Sequence, residues 1–584
     1  MSTETPTPVL DVRLARPAPF VAGEPHSEGR AARTQRRVDR RRQRRRLAAA
    51  IVACAVVPSI VVVSLWDNLT EPFWFNEQWR AYYISNSGNW WGALKTDGAP
   101  FPAGWYFLER IAGAVFGSTE LVLRIPTALF LPAGCVLLLL LARRWMPLWA
   151  ALVVALVGSL TGTLVSYAVQ LSEYQIDAAG AVAVVLLHEI VWDVKQPTWR
   201  SMRILLAYGG IALTCIFSTP VVFIAGPLLL LDAVRSLRRP LGPRLVGAVA
   251  AGVVILVELA AFVLPQSSLR ASAYWDQQFL PHSGLGAQAA FVGDGLRGFV
   301  TGIFTSSPQS GLPGLVLGTQ WAWALTLAFG LLLCVGVVEA ARSSHGRTLL
   351  FAIVVSQVLT LIASSQRYWP FGFVRTNYYL IPLLMLLAGL GGAVLARFGA
   401  GLLTRTTGSR RAWTALPRRA AGVVLCAAVL ASVGLAVASE VGAYRQTRGS
   451  VNAAQYGSGI GTVVTAVQTQ ARHGAAVVVT GGVMTNPGWR YYGYEYDGRA
   501  TKSGRQIPLS RVSFPAQHGS PAITAMVDRL NPSQVFLYVP FGTTGAEVGS
   551  DTRAIVRNGN CGELGSKGYG VSGLLIVFSC TPGG

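Results

Sequence analysis

The chain has 584 residues, of which 52% are hydrophobic and 13% charged, and its formal net charge is +22. With a mean hydropathy of +0.44 it is too apolar for a soluble enzyme of this size, so a polytopic membrane protein is predicted. The positive charge does not indicate nucleic-acid binding, because twelve arginines are concentrated before residue 47.

The N-terminal segment 1–46 is rich in Pro, Ala and Arg and ends in RRVDRRRQRRR. This composition predicts a disordered tail, and the arginines predict that it stays on the cytoplasmic side of the membrane. The segment is too long for an ordinary signal peptide, so the first apolar run is expected to remain as a helix.

Apolar stretches long enough to cross the bilayer recur through residues 47–439. Eleven transmembrane helices are predicted, at about 47–66, 121–142, 147–166, 174–193, 204–218, 220–235, 245–265, 315–340, 348–365, 375–396 and 420–438. With the N-terminus inside, the basic connections fall in the cytoplasm, as the positive-inside rule requires. Loops 67–120 and 266–314 are then extracytoplasmic, and 102–117 is predicted to be a re-entrant or interfacial helix.

The first outer loop begins NLTEPFWFNEQWRAYYIS (68–85), which mixes charged and aromatic residues. One interpretation is an aromatic belt at the membrane interface. Another is catalytic: beside aromatic walls Glu77 would lose solvation and become a general base, with Arg80 close by. Asp97 is a further carboxylate in the same loop, and Arg124 enters the edge of the next span.

The third outer connection, SYAVQLSEYQIDAAG (166–180), carries a pair of carboxylates. Glu173 and Asp177 are four residues apart and share a helix face with Tyr174 nearby. They are expected to contact a cation or a polar acceptor, with a solvated helix cap as the alternative. Glu258 lies inside a predicted span and is expected to need a partner.

The segment QRYWPFGFVRTNYYLIP (366–382) places Arg367 and Arg375 among aromatic residues at the end of a span. A cation at membrane depth needs an anionic partner, and the forked donors of arginine suit a phosphate. The alternative for either arginine alone is a side chain that extends to lipid headgroups.

Residues 440–584 are less hydrophobic and predict a small extracytoplasmic α/β domain. Its helices are expected at about 452–472 and 521–530, and its strands, in a partly parallel sheet, at 475–480, 534–539 and 574–579. Cys561 and Cys580 lie in this tail, on the oxidising side of the membrane, and are predicted to form a disulfide. The histidines show no ligand spacing, so a zinc site is not expected; a requirement for another divalent cation stays open.

Taken in order, these segments resemble the polytopic GT-C glycosyltransferases, particularly the protein-mannosyltransferase and aminoarabinose-transferase-like branch. The resemblance covers about residues 47–500. It rests on Asn76-Glu77, FGSTELVLRIP (116–126), QLSEYQIDAAG, YWDQQFLP (274–281, with Tyr274 and Trp275), YWPFGFVRTNYYLIP and TNPGWRYYGYEY (485–496).

The resemblance implies a GT-C-like bundle in the plasma membrane that moves a sugar from a polyprenyl-phosphate donor to a glycan, lipid or protein outside the cell. Arg367 and Arg375 would bind the donor phosphate, and Glu77 would be the base. The family usually has an aspartate where this chain has Asn76, so Glu77 takes that role or the protein is inactive. Two other functions remain open: transport of a lipid-linked sugar, and a non-catalytic envelope scaffold.

Overall fold

The computed structural model describes residues 30–73, 75–85, 101–194, 201–237, 242–265, 273–303, 319–372, 375–404, 412–449, 459–481, 485–496, 506–515, 517–540, 543–557, 561–569 and 573–581. The chain divides into two compact units, Met1–Ala50 and Ile51–Gly584. The second unit contains both the membrane helices and the C-terminal sheet.

Helices dominate the chain up to residue 449. In order they are α1 (Arg30–Ser64), α2 (Trp66–Thr70), α3 (Phe75–Ser85), α4 (Ala103–Phe116), α5 (Glu120–Ala142), α6 (Leu148–Ser159), α7 (Gly162–Ala168), α8 (Tyr174–Asp193), α9 (Met202–Phe217), α10 (Val222–Leu237), α11 (Pro243–Glu258), α12 (Leu285–Gly302), α13 (Thr319–Arg342), α14 (Ser344–Ser365), α15 (Ile381–Thr404) and α16 (Ala412–Gly449). Short 3₁₀ helices lie at Thr219–Val221, Ala273–Gln278 and Arg375–Leu380, and a π-helical turn follows α11 at Leu259–Val263.

A multi-pass membrane protein is confirmed by the length and composition of these helices. Within the described residues, nine helical segments are long and apolar enough to cross a bilayer, or ten if the bent pair α6 and α7 forms one span. The predicted span 204–218 corresponds to α9, a shorter apolar helix. Leucines of several spans are exposed on the outside of the bundle, as expected for side chains that face lipid: Leu206, Leu256 and Leu430.

Two sequence predictions need correction. Part of the N-terminal tail is helical, since α1 begins at Arg30; arginine, alanine and glutamine are good helix formers, and the first span continues the helix. The predicted span 147–166 is broken, because α6 and α7 meet at an angle of 61° around Leu160 and Thr161.

The helix α4 is too short to cross the membrane. It has 14 residues, which at 1.5 Å per residue is roughly 20 Å, against a hydrocarbon core of about 30 Å. Its N-terminal part is buried, whereas Val115 and Phe116 near its end are exposed. The helix is thus too short for a full span, and its interfacial or re-entrant placement stays a prediction.

Among the candidate spans in the described residues, α8 is the most buried. In its most apolar 18-residue stretch 78% of the residues are buried, compared with 22% in α1 and 11% in α16. Small residues allow its neighbours to approach closely. A Cβ on Gly134 of α5 would lie 3.3 Å from Ala179, and one on Gly180 would lie 2.9 Å from Thr214 of α9. The segment 171–177, in which the sequence predicts site residues, therefore leads into a helix that packs on several others.

The C-terminal part contains α17 (Gly459–Gln470), β1 (Ala476–Val479), α18 (Thr485–Arg490), β2 (Val512–Ser513), α19 (Pro521–Leu530), β3 (Gln534–Val539), α20 (Gly545–Val556), β4 (Cys561–Gly568) and β5 (Leu574–Cys580). The strand order is β2-β1-β3-β5-β4. β1 is parallel to β2 and β3, and β5 is antiparallel to β3 and β4. The predicted partly parallel sheet is thus present, and Cys561 and Cys580 are paired as a disulfide.

Both faces of this sheet are buried, but in different surroundings. Alternate residues of a strand point to opposite faces. Val535 and Leu537 pack on α19 and α20 in one hydrophobic cluster, whereas Phe536 and Tyr538 join a second cluster. That second cluster also contains Phe73, Phe101, Trp105 and Leu123. The C-terminal part and the first-loop helices therefore share one hydrophobic core.

Candidate active site

Two charged residues of α3, in the first loop, are buried. Glu77 is 1% exposed and Arg80 is 5% exposed. Three residues apart on a helix, both point into the protein, where each needs a partner of opposite charge. The partners come from distant segments: Arg124 of α5 pairs with Glu77, and Glu173 pairs with Arg80.

The ion pair between Glu77 and Arg124 is bidentate. Arg124 Nε lies 2.9 Å from Glu77 Oε1, and Nη2 lies 2.6 Å from Oε2. The backbone N–H of Leu171 also donates to Oε1, at 2.5 Å. Arg124 Nη1 donates to three carbonyl oxygens, those of Asn68, Leu69 and Glu71. Glu77 and Arg124 thus tie the first loop to α5 and to the turn before α8.

The second ion pair lies beside an aromatic side chain. Arg80 Nη2 is 3.0 Å from Glu173 Oε1, and Nε is 3.2 Å from Oε2. Arg80 also donates to the Tyr174 hydroxyl at 3.4 Å, and its guanidinium lies 4.7 Å from the Trp79 ring centre. Burial alone lowers the pKa of Arg80, but Glu173 and Tyr174 together more than offset this, so the net pKa is raised. The guanidinium stays charged.

Arg375, which begins the 3₁₀ helix Arg375–Leu380, lies near the same tyrosine although it is about 200 residues away in the sequence. Its guanidinium is 6.0 Å from the ring centre of Tyr174, and that of Arg80 is 5.8 Å from it. Tyr167 packs on Tyr174 with ring centres 4.8 Å apart. We call Arg80, Glu173, Tyr174 and Arg375 the arginine–Tyr174 cluster. It places two guanidinium groups within 6.0 Å of the centre of one tyrosine ring, among other aromatic side chains. Guanidinium groups suit a phosphate attached to a lipid.

The structure places Arg367 elsewhere. It pairs with Asp276 of the 3₁₀ helix Ala273–Gln278, and its guanidinium lies 5.0 Å from the Phe279 ring centre. Both side chains of the pair are partly exposed, at 37% and 51%. Arg367 has a φ of 59°, a left-handed conformation that costs free energy for a non-glycine residue and is often found at functional sites. Asp276 lies in the motif YWDQQFLP, but its pairing with Arg367 was not predicted from the sequence.

Two further carboxylates have fewer polar contacts. Asp177, 2% exposed, accepts a hydrogen bond from the Ser218 hydroxyl at Oδ1 (2.6 Å). The sequence predicts that Glu258 needs a partner. Both of its carboxylate oxygens are buried without a hydrogen bond to any residue that the structure describes.

Glu109 of α4 was not singled out from the sequence, although it is fully buried. Its Oε1 lies 3.1 Å from the Thr127 hydroxyl, which is 3.0 Å from the carbonyl oxygen of Ser172. Within the described part of the chain its Oε2 has no hydrogen-bond partner. Burial raises the pKa of Glu109 well above its usual range, although the bond with Thr127 lowers it. The only available signal was a glutamate within an otherwise apolar helix.

Some predicted site residues cannot be placed. Asp97 lies outside the described residues, and the side chains of Asn76, Tyr274 and Trp275 do too, although their backbones belong to helices. Within the described ranges, no three or more His, Cys, Asp or Glu side chains are grouped so that they could hold a metal ion.

No protein-family model and no curated protein sequence match the chain. Solved structures do match. ArnT from Cupriavidus metallidurans bound to undecaprenyl phosphate has a TM-score of 0.52 and 15% identity, covering 91% of this chain and 97% of that one. Its apo structure gives 0.49 and 13%, with 90% and 97% covered.

The archaeal oligosaccharyltransferase AglB from Archaeoglobus fulgidus, in complex with an inhibitory peptide and a dolichol-phosphate, has a TM-score of 0.45 and 12% identity. The match covers 91% of this chain and 74% of AglB. At a sequence identity as low as the 15% to ArnT, structural similarity shows a shared fold. The match to ArnT covers 91% of the chain and shows the GT-C-like fold that the sequence resemblance implies.

Proposed function

We propose that the protein is a membrane glycosyltransferase that moves a sugar from a polyprenyl-phosphate carrier to a cell-envelope acceptor. The observation that carries this proposal is the arginine–Tyr174 cluster, in which Arg80 and Arg375 lie 5.8 Å and 6.0 Å from one tyrosine ring. Two guanidinium groups can stabilise the negative charge that develops on a phosphate leaving group. ArnT, which has a similar fold, was solved with undecaprenyl phosphate bound, and this supports a lipid-linked donor.

The proposed reaction is an inverting displacement at the anomeric carbon. The bond from that carbon to the phosphate oxygen breaks, the phosphate leaves towards Arg375, beside the Arg80–Glu173 ion pair, and the acceptor hydroxyl oxygen forms the new bond to the anomeric carbon. A carboxylate takes the hydroxyl proton. Aromatic side chains near the cluster offer surfaces on which a sugar ring can stack.

The base needs an oxygen lone pair that can point at the acceptor. Glu77 already binds Arg124 through both oxygens, so we propose that it positions the first loop, and its predicted role as the base stays untested. Asp177, one helical turn from Glu173, accepts from Ser218 through Oδ1, and we propose that it contacts the acceptor and takes its proton.

The proposed orientation follows from the basic loops. Arginines near the ends of α5, α10 and α13 lie in the cytoplasm under the positive-inside rule, which puts the cluster and the C-terminal part outside the cell. A donor that is activated by its lipid phosphate fits this location, because no soluble nucleotide sugar is required there.

The test is a transfer assay with purified full-length protein and a panel of polyprenyl-phosphate sugars carrying radiolabel, run beside Arg375→Gln. Arg342 supplies the matched control, since it is an exposed arginine in α13 that pairs with Glu339. We expect wild type and Arg342→Gln to transfer label and Arg375→Gln to lose roughly a hundredfold in kcat/KM, as for a lost charged hydrogen bond in a transition state. Binding of a donor by wild type without any transfer would overturn the assignment in favour of transport.

A further inference from the structure

A short segment of the C-terminal part is in direct contact with the first loop. The π-helical turn Tyr491–Glu495 follows α18, and its first three residues are buried. π-Helical turns are rare and are frequently found at functional sites. The hydroxyl groups of three tyrosines in and next to this turn reach residues more than a hundred positions away in the chain: Tyr491, Tyr492 and Tyr496.

Two of these hydroxyls bind the same carboxylate. Tyr492 lies 3.2 Å from Glu120 Oε1, and Tyr496 lies 2.6 Å from Glu120 Oε2. Glu120 is the first residue of α5 and is 6% exposed. Burial, and next the Glu120 carboxylate, raise the pKa of Tyr492 well above its usual range, so its hydroxyl keeps the proton that it donates.

The same hydroxyl of Tyr492 also accepts a hydrogen bond from the first loop, from the backbone N–H of Phe73 at 2.7 Å. Tyr491 donates to the carbonyl oxygen of Ser118 at 2.9 Å, and its ring centre is 5.6 Å from that of Phe73. A Cβ on Gly488 of α18 would lie 2.4 Å from the Gln78 side chain, so the two helices are in close contact.

These contacts lead to the proposed active site through α5. Glu120 and Arg124 are four residues apart and so neighbours on one helix face. The tyrosines bind Glu120 and Phe73, while Arg124 binds the carbonyl oxygens of Asn68, Leu69 and Glu71, which precede Phe73, and the carboxylate of Glu77. Three residues beyond Glu77 in α3 is Arg80, a member of the arginine–Tyr174 cluster.

We infer that the π-helical turn Tyr491–Glu495, together with the adjacent Tyr496, positions the first loop for the reaction. Tyr492 and Glu120 are the positioning residues. This inference rests on the proposed function for its kinetic consequence, but not for its structural one. The C-terminal part then acts on catalysis from within the chain, because it holds Phe73 and α3 against α5.

The chain offers a matched control in the same turn. The hydroxyl of Tyr494 donates to the carbonyl oxygen of Ile507 at 2.7 Å, a bond within the C-terminal part. Tyr494→Phe therefore removes one hydroxyl from the turn without touching the first loop. Glu120→Gln keeps the shape of the side chain and removes its charge.

The first measurement is hydrogen–deuterium exchange on full-length protein in lipid nanodiscs, which requires no activity. In Tyr492→Phe and Glu120→Gln we expect exchange of peptides within 68–80 to rise about tenfold or more, with little change in α13 and α15. Tyr494→Phe should leave 68–80 as in wild type. Unchanged exchange in both Tyr492→Phe and Glu120→Gln, or an equal rise in Tyr494→Phe, would overturn the inference.

The second measurement is the split between kcat and KM with polyprenyl-phosphate sugar. Tyr492→Phe is expected to lower kcat about tenfold or more with KM for the donor within about twofold, because Arg375 belongs to another element. An increase in KM for the donor with kcat unchanged would contradict a positioning role. If wild type transfers no sugar while exchange changes as expected, the proposed function fails and the contact between the turn and the loop stands.

Discussion

The guanidinium of Arg124 holds the Glu77 carboxylate by two parallel hydrogen bonds, of 2.9 Å and 2.6 Å, with the two side chains 1% and 2% exposed. The remaining donor nitrogen of Arg124 binds three carbonyl oxygens of the first loop. This pair therefore ties the backbone of Asn68, Leu69 and Glu71 to Glu77 of α3, and each side chain neutralises the buried charge of the other.

Glu77→Gln is expected to lower thermal stability as well as activity. The change leaves the Arg124 charge buried without its partner, at a cost of roughly 3–5 kcal/mol. Thermal unfolding of the purified variants measures this. Asp276→Asn is the control, because it breaks an exposed pair with Arg367 worth about 1 kcal/mol or less. Complete loss of transfer with an unchanged melting temperature in Glu77→Gln would instead support Glu77 as the base.

Asp177→Asn is expected to lower kcat by roughly a hundredfold or more, the usual contribution of a general base, while the protein still binds undecaprenyl phosphate. Single-turnover transfer and donor binding, measured side by side, separate the two effects. Asp193→Asn serves as the control, since Asp193 is an exposed carboxylate at the far end of the same helix. Wild-type turnover in Asp177→Asn would remove Asp177 from the mechanism.

Glu109→Gln should change how stability depends on pH. Burial raises the pKa of Glu109 in the folded protein above the value of about 4.3 for an unfolded glutamate. The stabilisation linked to this proton is complete below the unfolded pKa and is lost as pH rises through the folded pKa. The melting temperature of wild type should therefore fall more steeply above about pH 5 than that of Glu109→Gln.

Glu547 of α20 provides a control in which the dependence of stability on pH has the opposite sign. Its pKa is lowered by hydrogen bonds from the backbone and then the side chain of Thr544. The stabilisation of the folded state that Glu547 contributes is present above the unfolded pKa and is lost as pH falls through the folded pKa. Parallel pH profiles for wild type and Glu109→Gln would show that the Glu109 carboxyl does not titrate in the way described.

The Cys561–Cys580 disulfide closes a loop of sequence separation 19 between the paired strands β4 and β5. Replacing both cysteines by serine is expected to destabilise the C-terminal part by about 3 kcal/mol, the value for a loop of similar length. Limited proteolysis in the 545–581 region detects this. Cys334→Ser, at an exposed free thiol in α13, is the control. Equal protease resistance of the two variants would mean that the disulfide is not stabilising.

Much of the fold could be read from the sequence, because its strongest signals are local. A membrane span is a run of apolar residues, and the strands β1, β3 and β5 are short apolar runs between turns. The positions where helices begin, break and end were harder to predict, because they depend on more than the local content of apolar residues. The break at Leu160 and Thr161 and the helix from Arg30 to Arg46 were missed, since apolar content and charge do not report them.

The candidate site was predicted as residue types and segments, and its pairings were not. Glu77, Arg80, Arg124, Glu173, Tyr174 and Arg375 were all named from the sequence. That Arg124 belongs with Glu77, and Arg80 with Glu173, follows from how α3, α5 and α8 pack. Arg367 and Arg375 are close in sequence yet contact different elements, Asp276 and the Tyr174 ring.

By itself, the sequence determined the membrane helices, the C-terminal α/β part and the arginine-rich and aromatic segments, because apolar runs and alternating patterns act over a few neighbouring residues. The tertiary structure alone decided which buried charges meet and that Tyr492 joins Phe73 to Glu120. The reason is physical: a buried charge or hydroxyl must find a partner, and which partner lies within hydrogen-bond distance is set by the packing of segments far apart in the chain.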